Sequence, residues 1–308
     1  MLARIYKSTG SWYTAKTDDG AIYNARIKGI FKIDDITSTN PVAVGDIVEI
    51  EPEDAAGNNA IVHAIHERKN YIARNSPRNK KQQHIIASNI SQALLLATLK
   101  EPRTSQGFID RCLVAAEAYH ISSIIVFNKT DIYRKKEWET FEKLKRIYEA
   151  IDYPVYTMSM KTWEGLDAVK DILKNNTTLV YGHSGTGKST VMNYLLPQLG
   201  LRTKEVSNWS GKGMHTTTFA EMYDLSFGGK IIDTPGIREF ALTNMERTEL
   251  SHYFPEMRVL LQRCRFNNCL HVEEPGCAVK EAVEAGKITM ERYISYYNIL
   301  ESIPENDY

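Results

Sequence analysis

"TTLVYGHSGTGKSTVMNYLL", residues 177–196, is the stretch whose reading decides the architecture. An apolar stem runs into a glycine-rich turn, a Lys-Ser pair follows, and apolar residues then recur at helical spacing. The core reads Gly182-x-x-x-x-Gly187-Lys188-Ser189, the strand–loop–helix pattern of a phosphate cradle. The cradle takes in Gly182, His183, Ser184, Gly185, Thr186, Gly187, Lys188, Ser189 and Thr190. Backbone N–H groups of residues 183–188 can wrap a β-phosphate, aided by the positive end of the helix that follows. Lys188 is placed to bridge the β- and γ-phosphates, and the Ser189 hydroxyl to ligate Mg²⁺. Such loops usually sit early in a chain, with base recognition after them. Here about 180 residues precede the loop.

Working upstream, residues 90–181 alternate apolar strands with helical patterns, which implies a mostly parallel sheet with helices on both faces. "NKTD", residues 128–131, ends the strand "SSIIVF", where α/β sheets bind ligands. Asp131 can accept from the N1–H and the exocyclic amine of guanine, and adenine offers neither donor in that place. Asn128 can tie the loop and reach the base edge, the Lys129 stem can cover the base face, and Thr130 lies between them. "YTMSM", residues 156–160, ends the next strand; Ser159 can brace the base loop, and the N–H of Met160 can donate to guanine O6. "NKTD" by itself reads first as a plain turn, and it gains meaning from the phosphate cradle that follows.

Downstream, "SGKGMHTTTF", residues 210–219, is a polar, glycine-rich segment placed as a switch loop. One of Thr216, Thr217 and Thr218, here assigned as Thr217, would meet Mg²⁺, and His215 reads as a water-orienting group or as a surface histidine. "DTPG", residues 233–236, follows the apolar "KII"; Asp233 is placed to hold Mg²⁺ through water, and the Gly236 N–H to meet a γ-phosphate. Ile237 comes next, where Ras-type GTPases carry a water-orienting glutamine. An isoleucine cannot orient water, so another residue or a partner must do it.

The flanks differ in kind. Residues 1–70 hold short alternating runs, "SWYTAKT", "AIYNARIKGIF", "VGDIVEIE" and "NAIVHAIHE", punctuated by glycine and proline. Five or so short strands suggest a small antiparallel β-barrel of the oligonucleotide-binding kind. "ARNSPRNKKQQH", residues 73–84, reads as an exposed connector, and its Arg74, Arg78, Lys80 and Lys81 stand without an acidic residue. Residues 241–308 are mainly helical in pattern, and the aromatics of "RYISYYNIL", residues 292–300, suit core packing. Three of the four cysteines fall in Cys264-x4-Cys269-x-His271-x5-Cys277. Three thiolates and one imidazole make a complete tetrahedral set for one structural zinc ion, with Pro275-Gly276 turning the last ligand back. Cys112, alone in a helical pattern, reads as a buried structural thiol.

The expected architecture is therefore multidomain: a barrel over 1–70, an α/β nucleotide domain over 71–240 and a mainly α zinc-binding domain over 241–308. No apolar run is long enough for a bilayer, and the N-terminus lacks a signal core, so a cytoplasmic protein without a membrane partner is expected. Lys plus Arg equal Asp plus Glu at 38 each, so a nucleic-acid partner must be met by a local patch.

On "NKTD", "GHSGTGKST", "HTTT", "DTPGIREF" and the cluster from Cys264 through "HVEEPGCAVK", the chain resembles the ribosome small-subunit-dependent GTPase A family of bacteria over nearly its whole length. The resemblance implies a barrel, a circularly permuted GTPase domain and a zinc domain. It implies GTP hydrolysis with Mg²⁺ in late maturation of the small ribosomal subunit, stimulated by that subunit, with rRNA contact and a monomeric chain. It carries guanine reading to Asn128, Lys129 and Asp131, phosphate binding to residues 182–190, and water positioning to His215. Thr186 departs from the family's usual valine, and Met160 from the alanine of many GTPases. Competing readings are an ATPase or small-molecule kinase on the same loop, and a regulatory GTPase whose partner is a protein.

Overall fold

The computed structural model describes residues 1–27, 41–53, 57–75, 83–200, 220–234 and 245–304. The first strands are β1 (Leu2–Ser8), β2 (Tyr13–Thr17), β3 (Ile22–Ile27), β4 (Ile47–Pro52) and β5 (Asn59–Ile65), then the antiparallel pair β6 (Tyr71–Asn75) and β7 (Gln83–Ser88). Strands and helices then alternate: β8 (Gln92–Ala97), α1 (Gln106–Ala118), β9 (Ser122–Phe127), α2 (Lys135–Glu149), β10 (Val155–Thr157), α3 (Leu166–Leu173), β11 (Thr177–Tyr181) and α4 (Lys188–Leu195). A hairpin of β12 (Glu221–Asp224) and β13 (Lys230–Asp233) precedes the last helices, α5 (Pro255–Arg258), α6 (Ala278–Glu284) and α7 (Met290–Ser302). Among the described residues no helix is long and apolar enough to cross a membrane.

The chain forms two units, one of residues 1–94, 167–181 and 188–238, the other of residues 95–166, 182–187 and 239–308. In the first unit, β1 pairs with both β2 and β4, and β2–β3, β3–β5 and β4–β5 complete a closed barrel in the order β1-β2-β3-β5-β4. Four of those pairings are antiparallel and β3–β5 is parallel. The exception is forced, because directions cannot alternate all the way round a ring with an odd number of strands. Inward positions two apart, such as Ala3 and Ile5, Tyr13 and Ala15, and Val48 and Ile50, fill the core. β1 is the strand that the alternating runs did not mark, and its register supplies the closure.

At the barrel's foot, fully buried Asp46 accepts from Arg68 through Nε (2.7 Å) and an Nη (2.6 Å), from Ser88 Oγ (2.6 Å) and from the Ala43 N–H (2.8 Å). Gly45 has φ +93°, and a Cβ there would lie 2.1 Å from the Ser88 carbonyl oxygen, so only glycine lets these backbones meet. This contact corrects the connector reading of 73–84. Its ends are strand residues, with Ala73 paired to Ile85 and Arg74 to His84, because β6 and β7 need that register to close against Val44–Gly45. Arg78, Lys80 and Lys81 lie outside the described residues. In the same unit β11 runs parallel to β13, and β12 lies antiparallel to β1 with Lys7 opposite Glu221. Tyr6 donates to Asp224 (2.6 Å) and Lys16 pairs with it (2.6 Å).

In the second unit β10, β9 and the end of β8 lie in that order, with β9 and β10 parallel. Ser105 caps α1 by accepting from the Phe108 N–H, and the face of α1 bearing Ile109, Leu113 and Ala116 is buried. Cys112 is buried there as a packing thiol. Phe254, Met257, Val279, Tyr296 and Ile299 form the core of the C-terminal helices. The unit is held by a buried ionic knot. Arg292 of α7, 2% exposed, donates to Asp110 of α1 (2.6 Å) and in a fork to Glu256 of α5 (2.7 and 3.2 Å). Its guanidinium lies over the Phe254 ring at 4.6 Å, and Tyr148 of α2 donates to the same Asp110 oxygen at 2.8 Å. Burial pushes the Asp110 carboxyl up, against the pull of Arg292. Replacing Arg292 by alanine leaves two buried carboxylates without their cation. Arg292→Ala should cost about 3–5 kcal/mol in denaturant unfolding followed by far-UV circular dichroism, and an unmoved transition would contradict the knot's role.

Candidate functional site

The candidate site begins where β9 ends. The Asn128 N–H donates to the Ala97 carbonyl (2.8 Å), so the backbone leaves the sheet at a fixed point. Lys129 takes the left-handed conformation (φ +64°), which breaks the strand and starts a short 3₁₀ turn over Thr130–Ile132. Thr130, buried, donates to Met158 O through its hydroxyl (3.2 Å), and exposed Asp131 accepts from Ser159 Oγ (2.7 Å). Ser159 is itself fixed, accepting from the N–H groups of Lys161 (3.2 Å) and Thr162 (3.1 Å). Ser159 thus braces the Asp131 carboxylate as its place after "NKTD" suggests, and half-buried Met160 follows it.

The glycine-rich turn lies against this loop within the same unit. Asn128, 1% exposed, donates through Nδ2 to the Thr186 carbonyl (2.8 Å). Gly187 has φ +100°, and a Cβ on it would stand 2.4 Å from Asn128 Nδ2. Gly182 lies so close to β8 that a Cβ would meet the Leu96 carbonyl oxygen at 2.3 Å. Both glycines are there because another backbone or side chain occupies the space of a side chain. Thr186 donates to His183 O (3.0 Å), and His183 meets Thr104 Oγ1 (2.9 Å) and stands edge-on to Phe108 at 5.2 Å. Ser184 and Thr190 are exposed.

In the other unit Lys188 and Ser189 open α4, and Asp233 ends β13. Burial pushes the Asp233 carboxyl up, and the Lys188 charge opposes the shift. A half-buried carboxylate with one nearby cation is a fitting place for a further positive charge. His215, Thr216, Thr217, Thr218, Gly236 and Ile237 lie outside the described residues.

The third group is the Cys/His cluster. One ligand atom from each of Cys264, Cys269, His271 and Cys277 lies within 4.8 Å of all the others. His271 presents Nδ1 to the thiols, 3.3 Å from Cys277 Sγ and 3.7 Å from Cys264 Sγ. The cluster is built by short-range structure: His271 sits at φ +61°, Gly276 at φ +68°, and Cys277 caps α6 by accepting from the Lys280 N–H at 3.4 Å. Tyr293 and Tyr296 of α7 donate to the carbonyls of His271 (2.6 Å) and Leu270 (2.8 Å), so the aromatics of that helix serve the cluster as well as the core. Burial pushes Cys269 up to about 12, raises Cys277, and lowers His271. Burial therefore disfavours the charged forms, and a bound cation would supply the missing compensation.

Some contributors carry no motif. Tyr133, buried, donates to the Asn128 carbonyl (3.0 Å) and accepts from the Leu99 N–H (2.9 Å), clamping the loop after β9 to the segment after β8. Lys129 Nζ donates to the Glu101 carbonyl (2.5 Å). Thr104 and Phe108 position His183 from 79 and 75 residues away, respectively. Sequence spacing gives no sign of such long-range pairs.

The RsgA GTPase family model matches residues 65–243, and the RsgA N-terminal domain model matches residues 3–59. The "Small ribosomal subunit biogenesis GTPase RsgA" of Cytophaga hutchinsonii is 51% identical over 300 residues, covering 97% of this chain and 98% of that one. The protein of the same name from Christiangramia forsetii is 49% identical over 307 residues, covering 99% and 98%. The crystal structure of YjeQ from Thermotoga maritima superposes with a TM-score of 0.81 at 30% identity and 99% coverage of both chains. YloQ, described as a circularly permuted GTPase, gives 0.75 at 28% identity, covering 99% and 96%. With the base loop ahead of the phosphate loop, a five-stranded barrel before both and the Cys/His cluster after them, this chain belongs to the RsgA GTPase family.

Proposed function

We propose that the chain hydrolyses GTP as a biogenesis factor of the small ribosomal subunit, acting late in its maturation and stimulated by it. The observation that carries this reading is the buried bond from Asn128 to Thr186, which ties the loop bearing Asp131 to the glycine-rich turn. Asp131 would accept from the two guanine donors while Ser159 holds its carboxylate, with Asn128, Lys129, Thr130 and the Met160 N–H around the base. Residues 182–190 would wrap the phosphates, with Lys188 between β and γ. Mg²⁺ would be held by Ser189, Thr217 and Asp233, and would neutralise charge on the transferred phosphoryl group. The Gly236 N–H would meet the γ-phosphate, and His215 would align the attacking water in place of the glutamine that Ile237 replaces. Water attacks phosphorus, the bond to the bridging oxygen breaks, and GDP and phosphate leave.

Around that centre we assign 1–70 as the barrel, 71–240 as the permuted GTPase domain and 241–308 as the metal-binding domain. The barrel and the basic residues Arg78, Lys80 and Lys81 would face rRNA. The metal is assigned as one structural zinc, because three thiols and an imidazole form a closed, buried set of four. A monomeric, cytoplasmic protein fits the role.

Three outcomes test the proposal. Purified small subunits should raise GTP turnover by on the order of 10²-fold or more, whereas large subunits and naked RNA should not. In that assay Lys188→Ala loses GTP binding; His215→Ala keeps it and loses most of the stimulation, and equal stimulation by either subunit would remove the assigned partner. Gly187→Ala should weaken GDP affinity by on the order of tenfold through the Asn128 clash, while Gly107→Ala, whose Cβ meets nothing within 4 Å, leaves it unchanged. Because burial raises the Cys269 and Cys277 thiols, zinc must displace their protons, so its affinity should fall by at least about 10²-fold from pH 8 to pH 6 in chelator competition. A pH-independent affinity would show that the thiols are not the ligands.

A further inference from the structure

We propose that the pocket beside the Cys/His cluster receives one unstacked base of single-stranded RNA. This rests on the reading above only in taking RNA as the partner. The pocket holds about 180 Å³, a size for a single ring system and small for a drug-sized ligand. It lies outside the metal set: Cys269 and His271 line it, and Cys264 and Cys277 do not. His271 turns Nδ1 to the thiols, so its Nε2 lies at the opposite ring edge, buried and without a hydrogen-bond partner. Thr248, His252, Gln262, Phe266 and Asn267 form the exposed part of the lining, and no acidic side chain lines the pocket.

The chemistry of that rim selects the occupant. Phe266 is 40% exposed, an unusual state for a phenylalanine, and the Arg265 guanidinium lies 5.5 Å from its ring centroid. Residues 262–268, "QRCRFNN", carry two arginines, two asparagines and a glutamine without one carboxylate. Among the described residues, Arg263 and Arg265 are exposed and in no ion pair. A ring face gives stacking, the amides offer donors and acceptors together for a base edge, and the arginines meet phosphates on either side. An apolar peptide side chain would use the ring and leave the amides unmatched. A duplex keeps its bases stacked and cannot enter. The pocket therefore reads an extruded base.

The test uses the full zinc-loaded chain and fluorescence anisotropy with a short labelled single-stranded RNA and a duplex of the same sequence. Phe266→Ala should weaken single-strand binding by on the order of tenfold and leave duplex binding within about twofold. Phe266→Tyr, which keeps a ring, should restore it, and Asn267→Asp, a surface change that adds a repelling charge, should weaken it. Zinc content and GDP binding of each variant should stay at the wild-type level, which separates failure of this inference from failure of the GTPase reading. Absence of single-strand binding by the wild-type chain, or equal binding by wild type, Phe266→Ala and Asn267→Asp, would overturn the proposal.

Discussion

A single buried amide ties the loop after β9 to the glycine-rich turn. Asn128 leaves β9 at a point fixed by its N–H bond to Ala97, and its side chain reaches the Thr186 carbonyl in the glycine-rich turn. Around that bond everything else is constrained. Gly187 has no side chain because Asn128 Nδ2 stands where a Cβ would be, and Gly182 has none because β8 passes too close. Tyr133 clamps the Asn128 carbonyl, and Ser159 fixes the carboxylate of Asp131. The order of the segments along the chain is immaterial to this contact. The permuted order is therefore compatible with the two loops meeting through space.

The same logic of fixed contacts governs the C-terminal helices. Arg292 pairs with Asp110 and Glu256 at once in a site almost without solvent, and it stacks on Phe254. A buried pair of this kind adds little net stability compared with apolar packing, and specifies which helix faces meet. α7 also sends Tyr293 and Tyr296 to the carbonyls of the Cys/His segment. One helix thereby joins α1 to the Cys/His cluster, and that cluster belongs to the same unit as the loop after β9. In the other unit the barrel is continuous with the β12–β13 hairpin that carries Asp233, through Lys7 opposite Glu221 and the Tyr6–Asp224 bond.

Much of this was legible in the sequence because the signals are local. The phosphate cradle, "NKTD" and the cysteine spacing each place several chemically matched residues within one turn or loop, and the strand–helix alternation from residue 90 onward gave every element of that region its type. What stayed hidden depends on long-range pairing. β1 alternates inward Ala3 and Ile5 with outward Arg4 and Tyr6, and its pairing with β2 and β4 shows that it is part of the barrel. The ends of 73–84 look like a polar connector because their partners are each other and the turn at Gly45, which composition does not reveal. Tyr133, Thr104 and Arg292 act across 5 to 182 residues, and no motif marks a residue whose role is set by such a distant partner.

The central claim is that Asp131, held by Ser159 and placed by Asn128, makes the bound nucleotide a guanine nucleotide. The most direct measurement is displacement of a fluorescent GDP analogue by GDP, IDP and ADP at equal Mg²⁺. The account predicts that IDP, which lacks the exocyclic amine, competes on the order of tenfold less well than GDP. ADP, which has neither donor for the carboxylate, should be weaker than GDP by on the order of 10³-fold or more. Displacement by ADP at concentrations similar to GDP would contradict it.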